Sequence, residues 1–249
     1  MPVLHISAEC APFAKVGGLA DVVGALPRAL SSSGVASAVV MPFYGGPGGR
    51  LAAKAGSLAS VHTGVVYFEG EWFPFEVFRS EAMSGDGAVV PLYLVHEPEH
   101  FGDGGVYFRD ADRAWFARGD VRYLVFQLMV LDWLRSAQTP LDGADVLHIH
   151  DHHGGLVPVL LANDPANAAI RDVPTVFTVH SADHHGEIGW TRWAQVGVAV
   201  PDARSLDHLG RVNSLKAGVE HADRVTTVSP TYARELAASP EPSHGLDYT

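Results

Sequence analysis

The chain opens on a short, mostly apolar run, Val3 to Ile6, rich in β-branched residues and suited to a buried strand. A turn with two glycines follows at Lys15 to Gly18. Leu19, Val22, Val23, Leu26 and Leu30 then recur at helical spacing. Pro27 lies inside that pattern and is expected to kink the helix or remove one of its hydrogen bonds; Gly34 ends it. Residues 36–42, "ASAVVMP", read as the second strand. Strand, loop, helix and strand in this order form the unit that builds parallel sheets. The Gly- and Pro-rich residues 45–56 read as a loop. Val61 to Phe78 alternates in part around Glu69-Gly70-Glu71, which predicts a hairpin. Residues 88–96 form another strand, His100 to Gly105 a flexible surface loop, and Asp110 to Ala137 a long helix broken near Gly119.

The last third repeats the α/β rhythm. Strands are expected at Val146–Ile149, within 173–180 and within 224–229, and helices within 154–163, 211–223 and 230–237, the last with Pro230 in its first turn. No linker, repeat or low-complexity tract divides the chain, so residues 1–249 read as a single domain. The predicted class is α/β: a Rossmann-like, doubly wound, mainly parallel sheet with a β-hairpin insertion. Such sheets bind ligands at the carboxyl ends of their strands. Four polar loops fall there: 8–18, 150–154, 180–190 and 229–230.

Composition narrows the function. Of 249 residues, 47% are hydrophobic, enough for a sizeable core. The net charge of -11 argues against a nucleic-acid surface, which needs clustered Lys and Arg. Cys10 is the single cysteine, so no intrachain disulfide can form and a reducing compartment fits. The N-terminus lacks the basic and long apolar regions of a signal peptide. No apolar stretch reaches the ~18 residues of a membrane span. The expectation is a soluble cytoplasmic protein with neither nucleic acid nor membrane as partner.

Three segments carry candidate chemistry. At Lys15 to Asp21, Gly17 and Gly18 let backbone amides approach a ligand, the following helix offers its positive end, and Lys15 adds a mobile cation. An anion cradle is one reading; a tight strand-to-helix turn with an exposed lysine is the other. "HIHDHHGG", His148 to Gly155, holds imidazoles and a carboxylate, the groups a metal takes. Adjacent residues on a strand point in different directions, however, so convergence is not required and no metal is assigned. "TVFTVHSADHHG", 175–186, ends a strand on His180 and continues into a polar loop.

These segments together resemble one family. "KVGGLADVVGALPRAL", 15–30, resembles the K-x-G-G-L-A-D-V signature of bacterial glycogen synthases and plant starch synthases, and "SAECAPFA" before it resembles the family's opening. Residues 148–155 resemble its H-x-H-D-W-H-x-G-L, with His152 in place of the tryptophan. Residues 175–186 resemble its T-V-H-N-x-x-Y-Q-G, with Ser181, His184 and His185 departing. "LKAGVEHADRVTTVSPTYARELA", 215–237, resembles its L-K-A-G-x-x-x-A-D-x-x-T-V-S-P-x-Y-A-x-E-I, where Tyr232 and Glu235 read as structural or interdomain residues. "SHGLD" near the end resembles the tail of the N-terminal domain.

The resemblance implies one half of a GT-B fold and a retaining transfer of glucose from ADP-glucose to the non-reducing end of an α-1,4-glucan, without metal or cofactor. It places Asp151 and His180 at the catalytic cleft, His180 on the transferred glucose. It sets Lys15, Gly17 and Gly18 beside the donor phosphates, with Asp21 either near the donor or balancing the helix dipole. His153 matches within the cleft motif, Tyr107 aligns near the donor, and Asn213 is set on the acceptor side. Residues 1–249 would then be the acceptor-side N-terminal domain. The donor-binding C-terminal domain, with the cations that neutralise the departing diphosphate, would lie outside them, leaving the isolated chain inactive. A non-catalytic glucan- or nucleotide-binding module, or another GT-B sugar transferase, is the alternative.

Overall fold

The computed structural model describes residues 2–84, 88–109, 112, 114, 116, 119–136 and 145–238. In chain order the elements are β1 (Val3–Ile6), α1 (Gly18–Ser32), β2 (Ser37–Pro42), α2 (Arg50–Ala55), β3 (Ala59–Phe68), β4 (Glu71–Ser80), β5 (Leu92–His96), α3 (Pro98–Phe101) and α4 (Gly119–Arg135). They continue as β6 (Val146–His150), α5 (Val157–Asn163), β7 (Thr175–Val179), β8 (Glu187–Ile188), α6 (Trp190–Trp193), β9 (Asp207–His208), β10 (Arg211–Asn213), α7 (Ser214–His221), β11 (Arg224–Thr227) and α8 (Pro230–Ala238).

Eight strands form the main sheet in the order β11-β7-β6-β1-β2-β5-β4-β3. The run from β11 to β5 is parallel. The β3–β4 hairpin extends the β5 edge antiparallel through a turn at Glu69 and Gly70, both at positive φ, which matches the right-handed twist of the strands. A small antiparallel sheet, β8-β10-β9, lies apart from it. From β1 the chain winds outward through β2 to β5, then returns to the other side of β1 with β6, β7 and β11. The reversal point lies between β1 and β6. In doubly wound sheets such a reversal point is where the ligand crevice lies.

Burial explains the strand composition. Every residue of β1 and β2 is buried, as expected for parallel strands covered on both faces. α4 is buried nearly all round, with Val121, Leu124, Phe126, Met129 and Trp133 in the core, so its apolar positions show little sidedness. Gly155 marks where α5 meets α7: a Cβ there would lie 2.0 Å from the Ser214 carbonyl oxygen.

Several local expectations change. α1 runs unbroken through the buried Pro27. Residues 45–56 are not all loop: α2 forms at Arg50–Ala55 because Leu51 and Ala55 bury one face. His100 and Phe101 are buried in α3 rather than in a surface loop. Glu97 makes that turn possible by accepting the amides of Glu99 and His100 and the His100 ring Nδ1. The long helix begins at Gly119 itself; most of 110–118, and the whole of "SHGLD", lie outside the described residues.

Candidate active site

The loops after β1, β6 and β7 meet over the reversal point and enclose a cleft of about 1230 Å³. Glu9, Gly17, Gly18, Tyr107, Asp151, His152, His153 and His180 all line it.

Asp151 directly follows β6 and sits in the left-handed region at φ 56, which few non-glycine residues adopt. Its Oδ1 accepts the backbone amide of His180 at 2.7 Å and that of Ser181 at 3.4 Å. The ends of β6 and β7 are thereby tied together by one carboxylate. Burial pushes the Asp151 carboxyl up to about 7, and the nearby Glu9 charge adds to the rise; the two amides oppose it.

Glu9 was not singled out from sequence. Its Oε2 accepts the amides of Val16 and Gly17, and its Oε1 the Tyr107 hydroxyl at 2.6 Å. Of the amides expected to face an anion, that of Gly17 therefore already serves Glu9. Gly18 still opens α1, and an added Cβ at either glycine would meet nothing within 4 Å, so the loop keeps an open face on the cleft. Lys15 turns to the rim, where its Nζ meets both Asp21 oxygens at 2.6 and 2.8 Å, each side chain more than half exposed. Neither residue lines the cleft. Asp21 occupies the first turn of α1, so it also balances the helix dipole.

Tyr107 comes to the cleft through a second cation that sequence reading missed. The buried Arg122 guanidinium donates to the carbonyls of His100, Gly105 and Val106 and stacks on Phe116 at 3.6 Å. A lone arginine in the apolar run of α4 was the available signal, since buried charge requires such bonds. Among the described residues, Arg122 is the only Lys or Arg lining the cleft.

His153 is buried between rings: stacked on Tyr107 at 5.5 Å, edge-on to Tyr123 at 4.5 Å, and 3.8 Å from the His152 ring. Among the described residues neither of its nitrogens has a partner. Burial holds both imidazoles neutral, His152 lowered to about 3 and His153 well below its ordinary value. Asn213, expected on the acceptor side, is fully buried. Its Oδ1 caps α7 at Lys216, and its side chain pairs with His185 Nδ1 at 2.8 Å. A residue opening a helix is fixed by that helix's free amides, and Asn is a favoured cap. Tyr232, read as structural or interdomain, accepts the Ala182 amide at 3.0 Å.

The histidine run converges more than strand alternation suggested. His148 and His150 are two residues apart and share a sheet face, and β1 adds His5 beside them. The ligand atoms of these three lie within 4.8 Å of one another. Among the described residues this is the one His, Cys, Asp or Glu group close enough to hold a metal.

Comparison with known proteins agrees with this geometry. The family model for the starch synthase catalytic domain matches residues 2–249. The glycogen synthase of Flavobacterium johnsoniae is 37% identical over 99% of this chain and 48% of its own length. Those of Variovorax paradoxus and Gloeobacter violaceus are 35% and 36% identical with similar coverage. The catalytic domain of starch synthase IV from Arabidopsis thaliana, solved with ADP and acarbose, superposes with a TM-score of 0.78 at 26% identity, over 99% of this chain and 48% of that one. The chain thus spans about half the length of the curated relatives it matches. A match over almost every residue, with the motif loops gathered around one cleft, leads to a single conclusion: the chain belongs to the starch synthase catalytic-domain family.

Proposed function

We propose that the cleft is the acceptor-side half of a glucosyltransferase site that moves glucose from ADP-glucose to the non-reducing end of an α-1,4-glucan with retention. The observation that carries this is the Asp151–His180 junction: a carboxyl raised to about 7 accepts the His180 backbone amide, and both residues line one cleft at the sheet's reversal point. Asp151 has the proton affinity to accept the attacking hydroxyl's proton at neutral pH. The unpartnered nitrogens of the buried His153 gain hydrogen bonds if sugar hydroxyls enter.

The cleft's cation supply sets its limits. Arg122 is held by three backbone carbonyls, and Lys15 is paired on the rim. Neutralising a departing diphosphate is the main electrostatic task of such a transfer, and it requires cations beyond these two. In this reading Lys15 exchanges Asp21 for the donor phosphates, and ADP as the donor's nucleotide follows the ADP-bound Arabidopsis relative. The reaction calls for no cofactor, and a reducing cytoplasm suits the single, buried Cys10.

The test is incorporation of labelled glucose from ADP-glucose into a glucan primer by the full-length protein. Asp151→Asn should lower kcat by about a hundredfold or more. An Asp151→Asn protein that retains the parent rate excludes the reading.

A further inference from the structure

Three imidazoles form a row from the cleft into the core. His180 Nε2 meets His150 Nδ1 at 3.0 Å, and His150 Nε2 meets His5 Nδ1 at 3.1 Å. Register produces the row. His150 pairs with Thr178, two residues before His180, and His5 pairs with His148, two residues before His150. Alternation puts all of them on one face of the sheet. His148 stacks on His150 with centroids 4.3 Å apart, and its own Nε2 is engaged by Thr178 Oγ1 at 2.7 Å.

A neutral imidazole has one N–H and one lone pair. Burial keeps the row neutral, lowering His5 to about 3, His180 to about 4 and His150 well below its ordinary value. Two hydrogen bonds through three neutral rings allow two orders. If His180 donates inward, the row ends on a His5 Nε2–H; if His5 donates outward, it ends on a lone pair there. Among the described residues, His5 Nε2 is buried without a partner. Orphaned buried N–H groups are rarer than under-satisfied acceptors, so the outward order is favoured.

We propose that His5 and His150 lock His180 in its Nδ1–H tautomer, so that the cleft imidazole offers a hydrogen-bond donor to a hydroxyl of the transferred sugar. His5 and His150 are positioning residues, acting only through His180. The sugar as recipient rests on the function proposed above; the order of protons along the row does not.

Long-range proton–nitrogen NMR of the histidine rings in the protein reads that order directly. The expected result is protonated Nδ1 and bare Nε2 on His180, His150 and His5. A protonated Nε2 on His180 overturns the proposal. So does a stoichiometric shift of the His5, His148 and His150 nitrogens on adding zinc chloride, because a metal would take the lone pairs the row uses. Kinetics supply the second arm. His5→Leu removes the first donor and should lower kcat about tenfold, the scale of one lost hydrogen bond, with the glucan KM little changed. His5→Asn keeps an N–H where Nδ1 stood and should restore most of the rate; equal rates for the two variants would overturn the mechanism. If His5→Leu does not fold, the spectrum of the unsubstituted protein still decides. If the protein transfers no glucose, the proton order is unaffected and only the function fails.

Discussion

The Glu9 carboxylate takes hydrogen bonds from the Val16 and Gly17 amides and from Tyr107, joining the loop after β1 to the one that Arg122 supports. Glu9→Leu would leave these two amides and the Tyr107 hydroxyl without their acceptor. It should lower stability by about 1–3 kcal/mol, the cost of a buried group left unsatisfied, and a denaturant titration with an unchanged midpoint would contradict this. Lys15 behaves differently. Its exposed pair with Asp21 contributes at most about 1 kcal/mol, so Lys15→Ala should leave the melting temperature nearly unchanged while raising the donor KM. An unaltered donor KM would remove Lys15 from the site. The motif loops made Asp151, His153, His180 and the Lys15 loop legible in sequence. Glu9 and Arg122 were not, because a single acid or base signals nothing until the fold supplies the amides and carbonyls it serves. The helix-capping role of Asn213 was not legible because it depends on where α7 begins.

At the scale of elements, spacing gave the parallel strands and the hairpin, since buried strands and alternating strands leave different patterns. The short helices α2 and α3 escaped. Each is one turn or little more, too short for a helical period to show, and each depends on tertiary burial or on the Glu97 cap. The α5–α7 contact is the tightest test of how elements place the site, because the turn after β6 carries Asp151 toward it. Gly155→Ala would set a Cβ against the Ser214 carbonyl. Overpacking of this kind costs about 1–3 kcal/mol, a loss of about 2–12 °C in Tm for a chain of this size. Calorimetry showing no loss would mean that the two elements separate more readily than their packing implies.

For the whole molecule, buried neutral histidines govern acid stability. The folded values of His5, His148, His152 and His180 lie at about 3, 4, 3 and 4, below the ordinary 6.5, through burial. The unfolded chain therefore binds more protons as pH falls below about 6.5, and stability present above that value is lost below it. Asp151 runs the opposite way: its folded value of about 7 exceeds the ordinary 3.8, so its contribution is full below 3.8 and fades as pH rises through 7. Several imidazoles outweigh one carboxyl, and Tm should fall steeply from pH 6.5 to 4.5; a flat profile would contradict the burial. The same Asp151 value requires kcat to rise with pH through about 7 if the carboxylate accepts a proton. The kinetic predictions all depend on sugar entering the cleft between β1 and β6. The most direct measurement is a crystal structure of the protein soaked with a maltooligosaccharide. The account predicts a glucosyl ring within hydrogen-bond reach of Asp151 and His153. Glucan density confined to other surfaces, with this cleft filled by water at saturating sugar, would contradict it.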